Sequence, residues 1–479
     1  GGGGSGGGSG MFGRLVKTFT STAADFLKEN YTAGEEDGGN GGSGGGSSGV
    51  VGVGRFGAHN VDAGDRAAVD DYAVDASTIV ADAERNFAAC TSCGGWRVSR
   101  ANDNYSLCST YPRTVVVPSC FADIDLYHAA QFRGKCRFPI LSWRCRRTGA
   151  TLSRASQPLP GVTSKRSAAD EKLTQAIRMT NARAPTLYIV DARPVANAMA
   201  NMAMGAGYEN TTHYYPKCAI EFLGIANIHA VRGAATRLRD LYAARVRVGS
   251  CPKAWLSSLE STQWLHHVST VLSGGVRVAS LLARGQSVYC HCSDGWDRTP
   301  QLCALAQVLL DPYYRTTLGF CTLIDKEWVA FGHKFATRHG QIDPNHADTE
   351  HAPIFMQWLE CVYQVMQQFA SAFEFTPALL RVMLHAATGV RYGTFLGDCE
   401  RERERHGAHR DAPSFWDYLF GATGAAARFA NAYYVGPTER GDCADTMLLP
   451  ETGVDRLRLW DDYYFADADA DCVDAFDPA

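Results

Sequence analysis

The chain has 479 residues, 46% of them hydrophobic, and its 46 basic and 50 acidic side chains give a net charge of −4. This composition is typical of a soluble globular protein. No apolar run approaches the roughly 20 residues needed to cross a bilayer, and no secretory leader is evident. The 16 cysteines show no framework spacing, so we expect reduced thiols and a cytoplasmic location.

Glycine is unevenly distributed, since 18 of the 48 glycines fall in the first 50 residues. We therefore expect residues 1–50 to form a disordered tail rich in glycine and serine, with a short amphipathic stretch at 11–31. The composition is globular over residues 65–465. The last 19 residues hold seven aspartates and no basic residue, which predicts a solvated acidic tail over 466–479.

Apolar runs of strand length alternate with segments of helical periodicity in the globular part. The pattern predicts strands at 114–118, 139–143, 186–191 and 219–224, and helices at 172–183, 237–247, 264–272, 353–369 and 377–387. Strands interleaved with helices indicate an α/β architecture.

Two cysteines are each followed by arginine at the Cys-x5-Arg spacing that cysteine-dependent phosphatases use. About one such pair is expected by chance in a chain this rich in both residues. The pair Cys399 and Arg405 has no strand before it, no glycine inside it, and three glutamates that would repel a phosphate. We interpret this pair as the chance match.

The other pair, Cys292 and Arg298, lies between a short buried strand predicted at 288–291 and a helix predicted from Thr299 onward. Backbone N–H groups of such a loop converge on an anion, and the positive end of the helix stabilises a thiolate. Cys292 is therefore the predicted nucleophile. Gly295 allows close backbone approach, and the planar fork of Arg298 suits two phosphate oxygens.

Two aspartates inside this loop are unexpected in an anion site and therefore informative. We predict that Asp297 protonates the leaving alkoxide, with helix capping as the alternative, and that Asp294 bonds hydroxyl groups of a sugar-like substrate. His291 either tunes the loop or is a buried structural histidine. The sequence holds a single Cys-x-x-Cys motif with no second pair, so no metal or other cofactor is expected.

A cationic segment over 133–154 holds seven basic side chains and no acidic one. An anionic membrane surface is the natural partner of such a segment. A solvated basic strand pair and a nucleic-acid face are the alternatives, and the acidic balance of the chain argues against nucleic acid. The seven residues are Arg133, Lys135, Arg137, Arg144, Arg146, Arg147 and Arg154.

The loop sequence HCSDGWDRT resembles the active-site signature of the myotubularin family of phosphoinositide 3-phosphatases. Further blocks resemble that domain in the family's order, including WRVSRANDNYSLCSTYPRTVVVP, FRGKCRFPILSW, YIVDARPVANAMANMAMGAGYE, NIHAVR, STQWLHH and DPYYRTTLGFCTLIDKEWVAFGHKFATR. The resemblance covers residues 65–465. It implies a cysteine-phosphatase fold of the tyrosine-phosphatase type, with a central mixed sheet flanked by helices.

The resemblance also implies an activity and a set of site residues. The expected activity is removal of the D3 phosphate from phosphatidylinositol 3-phosphate and phosphatidylinositol 3,5-bisphosphate through a phosphocysteine. The expected partners are phosphoinositides at an endosomal membrane surface and other family members in an oligomer. Lys334 stands where family members often carry arginine, which keeps the charge but loses the bidentate fork. The residues expected to contact substrate are Asn201, Asn227, Ile228, Ser293, Asp294, Gly295, Trp296, Lys334 and Arg338.

Two other functions remain as alternatives. A protein tyrosine or dual-specificity phosphatase would share the loop, but the aspartates within it and the length of the resemblance argue against that class. A regulatory scaffold without activity would lack the cysteine or the arginine, and here both are present. The PH-GRAM domain that usually precedes the family's catalytic domain is expected to be absent, because only a glycine-rich stretch precedes the globular part.

Overall fold

The computed structural model describes residues 81, 82, 85, 95–248, 254–341, 348–436 and 447–465. All of them belong to one compact unit, Tyr72–Ala479. The tails predicted at 1–50 and 466–479 lie outside the described residues, as does the predicted start of the globular part at residue 65. Within the described ranges, none of the helices combines the length and the apolar character required to span a membrane.

The described strands form a two-stranded sheet and a five-stranded sheet. They are β1 (Trp96–Ser99), β2 (Val115–Pro118), β3 (Ile140–Arg144), β4 (Thr151–Ser156), β5 (Leu187–Asp191), β6 (Cys218–Phe222) and β7 (Ser287–Cys292). The larger sheet has the order β3-β4-β7-β5-β6. Strands β4, β7, β5 and β6 run parallel, and β3 is antiparallel to β4.

Helices flank this sheet, and the segment that contains Cys292 and Arg298 leads from β7 into one of them. They are α1 (Asp123–Ala130), α2 (Ala168–Met179), α3 (Val195–Ala203), α4 (Ile228–Val248), α5 (Trp255–Thr262), α6 (Trp264–Ala283), α7 (Arg298–Leu310), α8 (Thr317–Ile324), α9 (Phe335–His339), α10 (Ile354–Gln368), α11 (Pro377–Thr388), α12 (Glu400–Arg405), α13 (Ala408–Asp411), α14 (Phe415–Phe420) and α15 (Asp461–Tyr464). A π-helical turn, Asp325–Ala330, follows α8 directly.

Strand β7 is buried along its whole length and contributes to both hydrophobic clusters of the fold. Val288, Cys290 and Cys292 join the larger cluster, while Tyr289 joins the smaller one. This alternation follows from the period of two in a strand. Cys292 consequently ends a central parallel strand, at the sheet edge where α/β proteins place their ligands.

The predicted α/β class with a mixed central sheet is confirmed. The five predicted strands correspond to β2, β3, β5, β6 and β7, whereas β1 and β4 were not predicted, and the sequence of β4, TLSRAS, is polar. Strand β4 is nevertheless fully buried. Its Arg154 is paired with the buried Glu327 at 2.7 Å, which compensates for burying the charge. Two predicted helices differ in extent, because α2 begins four residues before the predicted start and α4 begins nine residues before it.

Helix α6 runs eleven residues beyond the end predicted at 272. The prediction stopped early because Gly274 and Gly275 are poor helix formers. A Cβ atom on Gly275 would lie 2.5 Å from Leu305, and one on Gly274 would lie 2.8 Å from Leu302. The two glycines therefore let α6 approach α7 closely, and this packing holds the helix that begins at Arg298.

The prediction of a solvent-facing basic surface at 133–154 is wrong for Arg133, Arg137 and Arg154, which are at most 1% exposed. Arg133 donates hydrogen bonds to Asp170 and Glu209, both of which are also buried. Burying such cations is costly unless they are paired and bonded, so these arginines have structural partners within the fold.

Candidate active site

The candidate nucleophile lies at the junction of β7 and α7. Cys292 ends the strand, and its side chain accepts hydrogen bonds at Sγ from the backbone N–H of Gly295 at 3.3 Å and from the Thr299 hydroxyl at 3.2 Å. Two hydrogen-bond donors therefore point at this one sulfur atom. The structure thus brings together the strand, loop and helix that the sequence predicted.

Gly295 fixes the shape of the loop. Its φ of +81° lies in the left-handed region, and a Cβ atom there would meet the Ala155 carbonyl oxygen at 2.5 Å. The Gly295 carbonyl accepts hydrogen bonds from Arg137 at 3.1 Å and Arg154 at 2.9 Å. Two buried guanidinium groups therefore bind the Gly295 carbonyl, while the Gly295 N–H donates to the sulfur of Cys292.

Arg298 begins α7, and its guanidinium reaches across the loop. It donates to the Ile225 carbonyl at 3.4 Å and to the Ser293 hydroxyl at 3.3 Å. Its Nε is buried without a hydrogen-bond partner, and it forms no ion pair with any residue that the structure describes. The side chain is therefore available for the bidentate phosphate contact that its planar fork permits.

His291 is fully buried and linked to a carboxylate. Its Nε2 lies 3.0 Å from Glu209, and its Nδ1 lies 3.1 Å from the Cys292 carbonyl oxygen. Burial lowers the pKa of His291, but the charge and hydrogen bond of Glu209 together with the charge of Asp191 raise it overall. Arg133 and Tyr289 also contact Glu209. The imidazole of His291 therefore lies between the Glu209 carboxylate and the backbone of Cys292.

The two loop aspartates have opposite electrostatic environments. Burial raises the pKa of Asp297, but the charge of Arg338 and its two hydrogen bonds, at 3.0 and 2.8 Å, act with the nearby His333 and Arg298 to lower it overall. Burial and then the charge of Asp297 raise the pKa of Asp294. Asp297 makes no side-chain capping bond to α7, so the capping alternative is not observed. Such a divergent pair of carboxyl groups is a feature of acid–base sites.

The structure places the asparagines beside the loop in different ways. Asn201 donates to Gln157 at 3.0 Å, and the Gln157 backbone N–H donates to the Ser293 carbonyl at 3.0 Å. Asn227 uses its side-chain oxygen to cap α4 at Ala230, at 3.0 Å. Asn227 therefore caps α4, and its contact with substrate stays a prediction.

Three further predicted residues lie near the same loop. Ile228 is the first residue of α4. It lies three residues after Ile225, whose carbonyl accepts a hydrogen bond from Arg298. Lys334 places its Nζ 4.7 Å from the centre of the Trp296 ring. Arg338 is 4% exposed and is held by Asp297 and by Glu350, the latter at 3.0 Å. Contact of Arg338 with a further substrate phosphate stays a prediction.

The second Cys-x5-Arg pair has none of these features. Cys399 directly precedes α12 and is 2% exposed, and its thiol donates to the Ser109 carbonyl at 3.6 Å. Burial raises the pKa of this thiol. A buried thiol of raised pKa is unreactive, which agrees with the interpretation of this pair as a chance match.

Sequence reasoning missed Arg137, Arg154, Glu209 and Gln157 as parts of the site. Arg137 and Arg154 were grouped with a supposed basic surface, although both are buried and donate to the Gly295 carbonyl. Glu209 entered the sequence analysis only as the last residue of the block YIVDARPVANAMANMAMGAGYE. None of the four lies close to the loop in sequence.

A buried Cys-x5-Arg loop between a parallel strand and a helix defines the class of cysteine-dependent phosphatases. Residues 66–404 match the profile of the family described as “Myotubularin-like phosphatase domain”. The chain belongs to this family.

Curated relatives extend the match. “Myotubularin” of Rattus norvegicus is 44% identical over 370 residues, which are 77% of this chain and 59% of the relative. “Myotubularin” of Xenopus laevis is 43% identical over 370 residues, with the same two shares. “Phosphatidylinositol-3,5-bisphosphate 3-phosphatase MTMR2” of Mus musculus is 41% identical over 370 residues, 77% of this chain and 55% of the relative. The chain thus spans less than two thirds of the length of these relatives.

Proposed function

We propose that this chain is a phosphoinositide 3-phosphatase acting on phosphatidylinositol 3-phosphate and phosphatidylinositol 3,5-bisphosphate. The observation that carries the proposal is the thiol of Cys292, held by Gly295 and Thr299 beside an Arg298 that has no carboxylate partner among the described residues. The printed name of the mouse relative, a 3-phosphatase of the 3,5-bisphosphate, supports the substrate class.

The proposed reaction has two displacement steps. The Cys292 thiolate attacks the D3 phosphorus, an S–P bond forms, and the P–O bond to the inositol carbon breaks. Asp297 donates a proton to the departing alkoxide, and Arg298 binds two equatorial oxygens of the phosphoryl group. Water then attacks the phosphocysteine with Asp297 accepting its proton, which releases phosphate and restores the thiolate. In the free protein Asp297 is ionised by Arg338, so proton loading has to follow a change in that pair.

The remaining residues are assigned to substrate. Hydrogen-bonding groups for the inositol ring and neighbouring phosphate come from Asn201, Asn227, Ile228 and Asp294, and the loop backbone at Ser293, Gly295 and Trp296 lines the phosphate cradle. Lys334 and Arg338 are assigned to further phosphates, since extra cations raise affinity only when another phosphate is present. No metal or other cofactor takes part in the proposed steps.

The setting of the reaction is also part of the proposal. The phosphatase domain spans residues 65–465, and the protein acts as a peripheral protein at endosomal membranes, alone or in oligomers with family members. The substrate is an amphiphile, so the domain has to reach the headgroup from the aqueous side.

Phosphate release from a panel of short-chain soluble phosphoinositides tests this function. We expect turnover of the 3-phosphate and the 3,5-bisphosphate, little turnover of isomers without a D3 phosphate, and at most about a hundredth of that efficiency on a phosphotyrosine peptide, which lacks the ring hydroxyls. Comparable efficiency on the peptide would identify a protein tyrosine phosphatase instead. Absence of turnover on every substrate would support a regulatory scaffold.

A further inference from the structure

Helix α3 presents an apolar face to solvent. Residues 195–205 carry no charged side chain, and the exposed fractions of Val195 and Met199 are 47% and 46%. Ala196 and Ala203 are exposed as well. At the helical period, these four residues fall within one sector of about 100°. An uncharged exposed face of this kind is unusual for a surface helix, whose outer side normally carries polar groups.

Further exposed apolar side chains lie just beyond the end of the helix. Met204, immediately after α3, is 55% exposed, and Val162 in a neighbouring loop is 73% exposed. The two segments are joined, because the Gly161 N–H donates to the Ala206 carbonyl at 3.1 Å. We call Val162, Val195, Met199 and Met204 the α3 patch.

Exposed cations lie beside Val162 of the α3 patch and beside the catalytic loop. Lys165 is exposed three residues after Val162, and Arg166 follows it, paired with Glu171 at 2.8 Å. Lys135 is exposed in the turn at Gly134, where a Cβ atom would lie 3.3 Å from the Ser293 carbonyl oxygen of the catalytic loop. Apolar side chains bordered by lysines suit an anionic lipid surface, which takes up both.

The α3 patch is connected to the candidate active site through the opposite side of the helix. Asn201 points away from the apolar sector and donates to Gln157, whose backbone contacts Ser293 in the catalytic loop. One helix therefore borders the site on its inner side and exposes the α3 patch on its outer side. The α3 patch is thus linked to the catalytic loop through Asn201 and Gln157.

We propose that the α3 patch is a membrane-contact face that inserts into an anionic bilayer and seats the catalytic loop over the lipid headgroups. This inference rests on the proposed function, because a lipid substrate stays anchored in the bilayer during catalysis. Four side chains are far fewer than the roughly 20–30 residues per side of a stable protein interface, but they suffice for shallow insertion. Two of them are methionines, whose flexible side chains adapt to an irregular surface.

A double variant, Met199→Asp with Met204→Asp, tests the proposal. The matched control is Leu256→Asp on α5, where the leucine is 78% exposed, with Ile124→Asp on α1, where the isoleucine is 67% exposed. Each protein is assayed on short-chain phosphatidylinositol 3-phosphate in solution and on the long-chain lipid in vesicles of phosphatidylcholine and phosphatidylserine. Co-sedimentation with the same vesicles lacking the substrate lipid is measured in parallel.

We expect the patch variant to keep soluble activity within about twofold while vesicle binding and vesicle activity fall about tenfold or more, because a charge resists insertion. The control variant should match the wild type in every assay. Unchanged vesicle binding by the patch variant overturns the proposal, and so does an equal loss in the control. Loss of self-association in sedimentation velocity, with vesicle binding intact, identifies a protein interface instead. If the wild type turns over neither substrate, the proposed function fails, while the substrate-free vesicles still decide the role of the α3 patch.

Discussion

Arg338 and Asp297 form a buried ion pair with two hydrogen bonds, at 3.0 and 2.8 Å, although 41 residues separate them in the chain. The sequence suggested that one is an acid catalyst and the other a phosphate ligand. The structure joins them, so the protonation of Asp297 depends on where the guanidinium of Arg338 lies. A substrate anion that attracts Arg338 would raise the pKa of Asp297 and prepare it to donate a proton.

Arg338→Gln should therefore move the basic limb of the pH profile. Asp297 must be protonated to act as an acid, so activity falls as pH rises through its pKa. Arg338 lowers that pKa, so its removal should move the basic limb of the profile to higher pH. The measurement is kcat/KM against pH on short-chain phosphatidylinositol 3-phosphate. Glu350→Gln is the matched control, because it removes the other carboxylate from Arg338. A basic limb that stays in place, or one that moves equally in both variants, would contradict this coupling.

The roles of the two loop aspartates can be separated by the leaving group. Asp297→Asn should reduce turnover of the inositol lipid by about a hundredfold or more, because an alkoxide needs a proton to depart. The same variant should lose less than about tenfold on 4-nitrophenyl phosphate, whose leaving group needs no proton. Asp294→Asn is expected to raise KM for the inositol lipid, because a ring hydroxyl loses its partner, while kcat and the turnover of 4-nitrophenyl phosphate, which has no such hydroxyl, change little. The reverse pattern would assign the acid to Asp294, whose raised pKa already favours the protonated form.

Glu209 should control the reactivity of Cys292 through His291. In Glu209→Gln the imidazole loses the carboxylate that raises its pKa, so less positive charge is expected near the end of β7, where Cys292 has to form a thiolate. We expect alkylation of Cys292 by iodoacetamide at neutral pH to slow by about tenfold. Asp170→Asn is the control, because Asp170 pairs with the same Arg133 but has no hydrogen bond to His291. Equal alkylation rates in the two variants would reduce Glu209 to a structural partner of Arg133.

Some of this site could be predicted from sequence because it is local. The spacing of Cys292 and Arg298 and the intervening Gly295 define a strand, loop and helix within a few residues, and the structure has all three. The contacts that hold the loop are not local, since Arg137 and Arg154 bond to Gly295 across 158 and 141 residues. From composition alone, these two arginines were assigned to a basic surface instead of the buried site.

Long-range pairing also explains the errors in the secondary structure. Strand β4 has a polar sequence, and its burial is compensated by the ion pair between Arg154 and Glu327, 173 residues away. Helix α6 contains two glycines that weaken any local helical signal, yet their contacts with Leu302 and Leu305 require them. In both cases a tertiary contact outweighs local propensity.

The central claim is that Cys292 performs the dephosphorylation of a 3-phosphoinositide. It is tested most directly by phosphate release from short-chain phosphatidylinositol 3-phosphate, comparing the wild type with Cys292→Ser and with Cys399→Ser. A serine hydroxyl is too weak a nucleophile without a neighbouring base, so Cys292→Ser should retain less than about a hundredth of the activity while its melting temperature is unchanged. Cys399→Ser should stay fully active. Residual activity of Cys292→Ser above that level, or loss of activity in Cys399→Ser, would contradict the account.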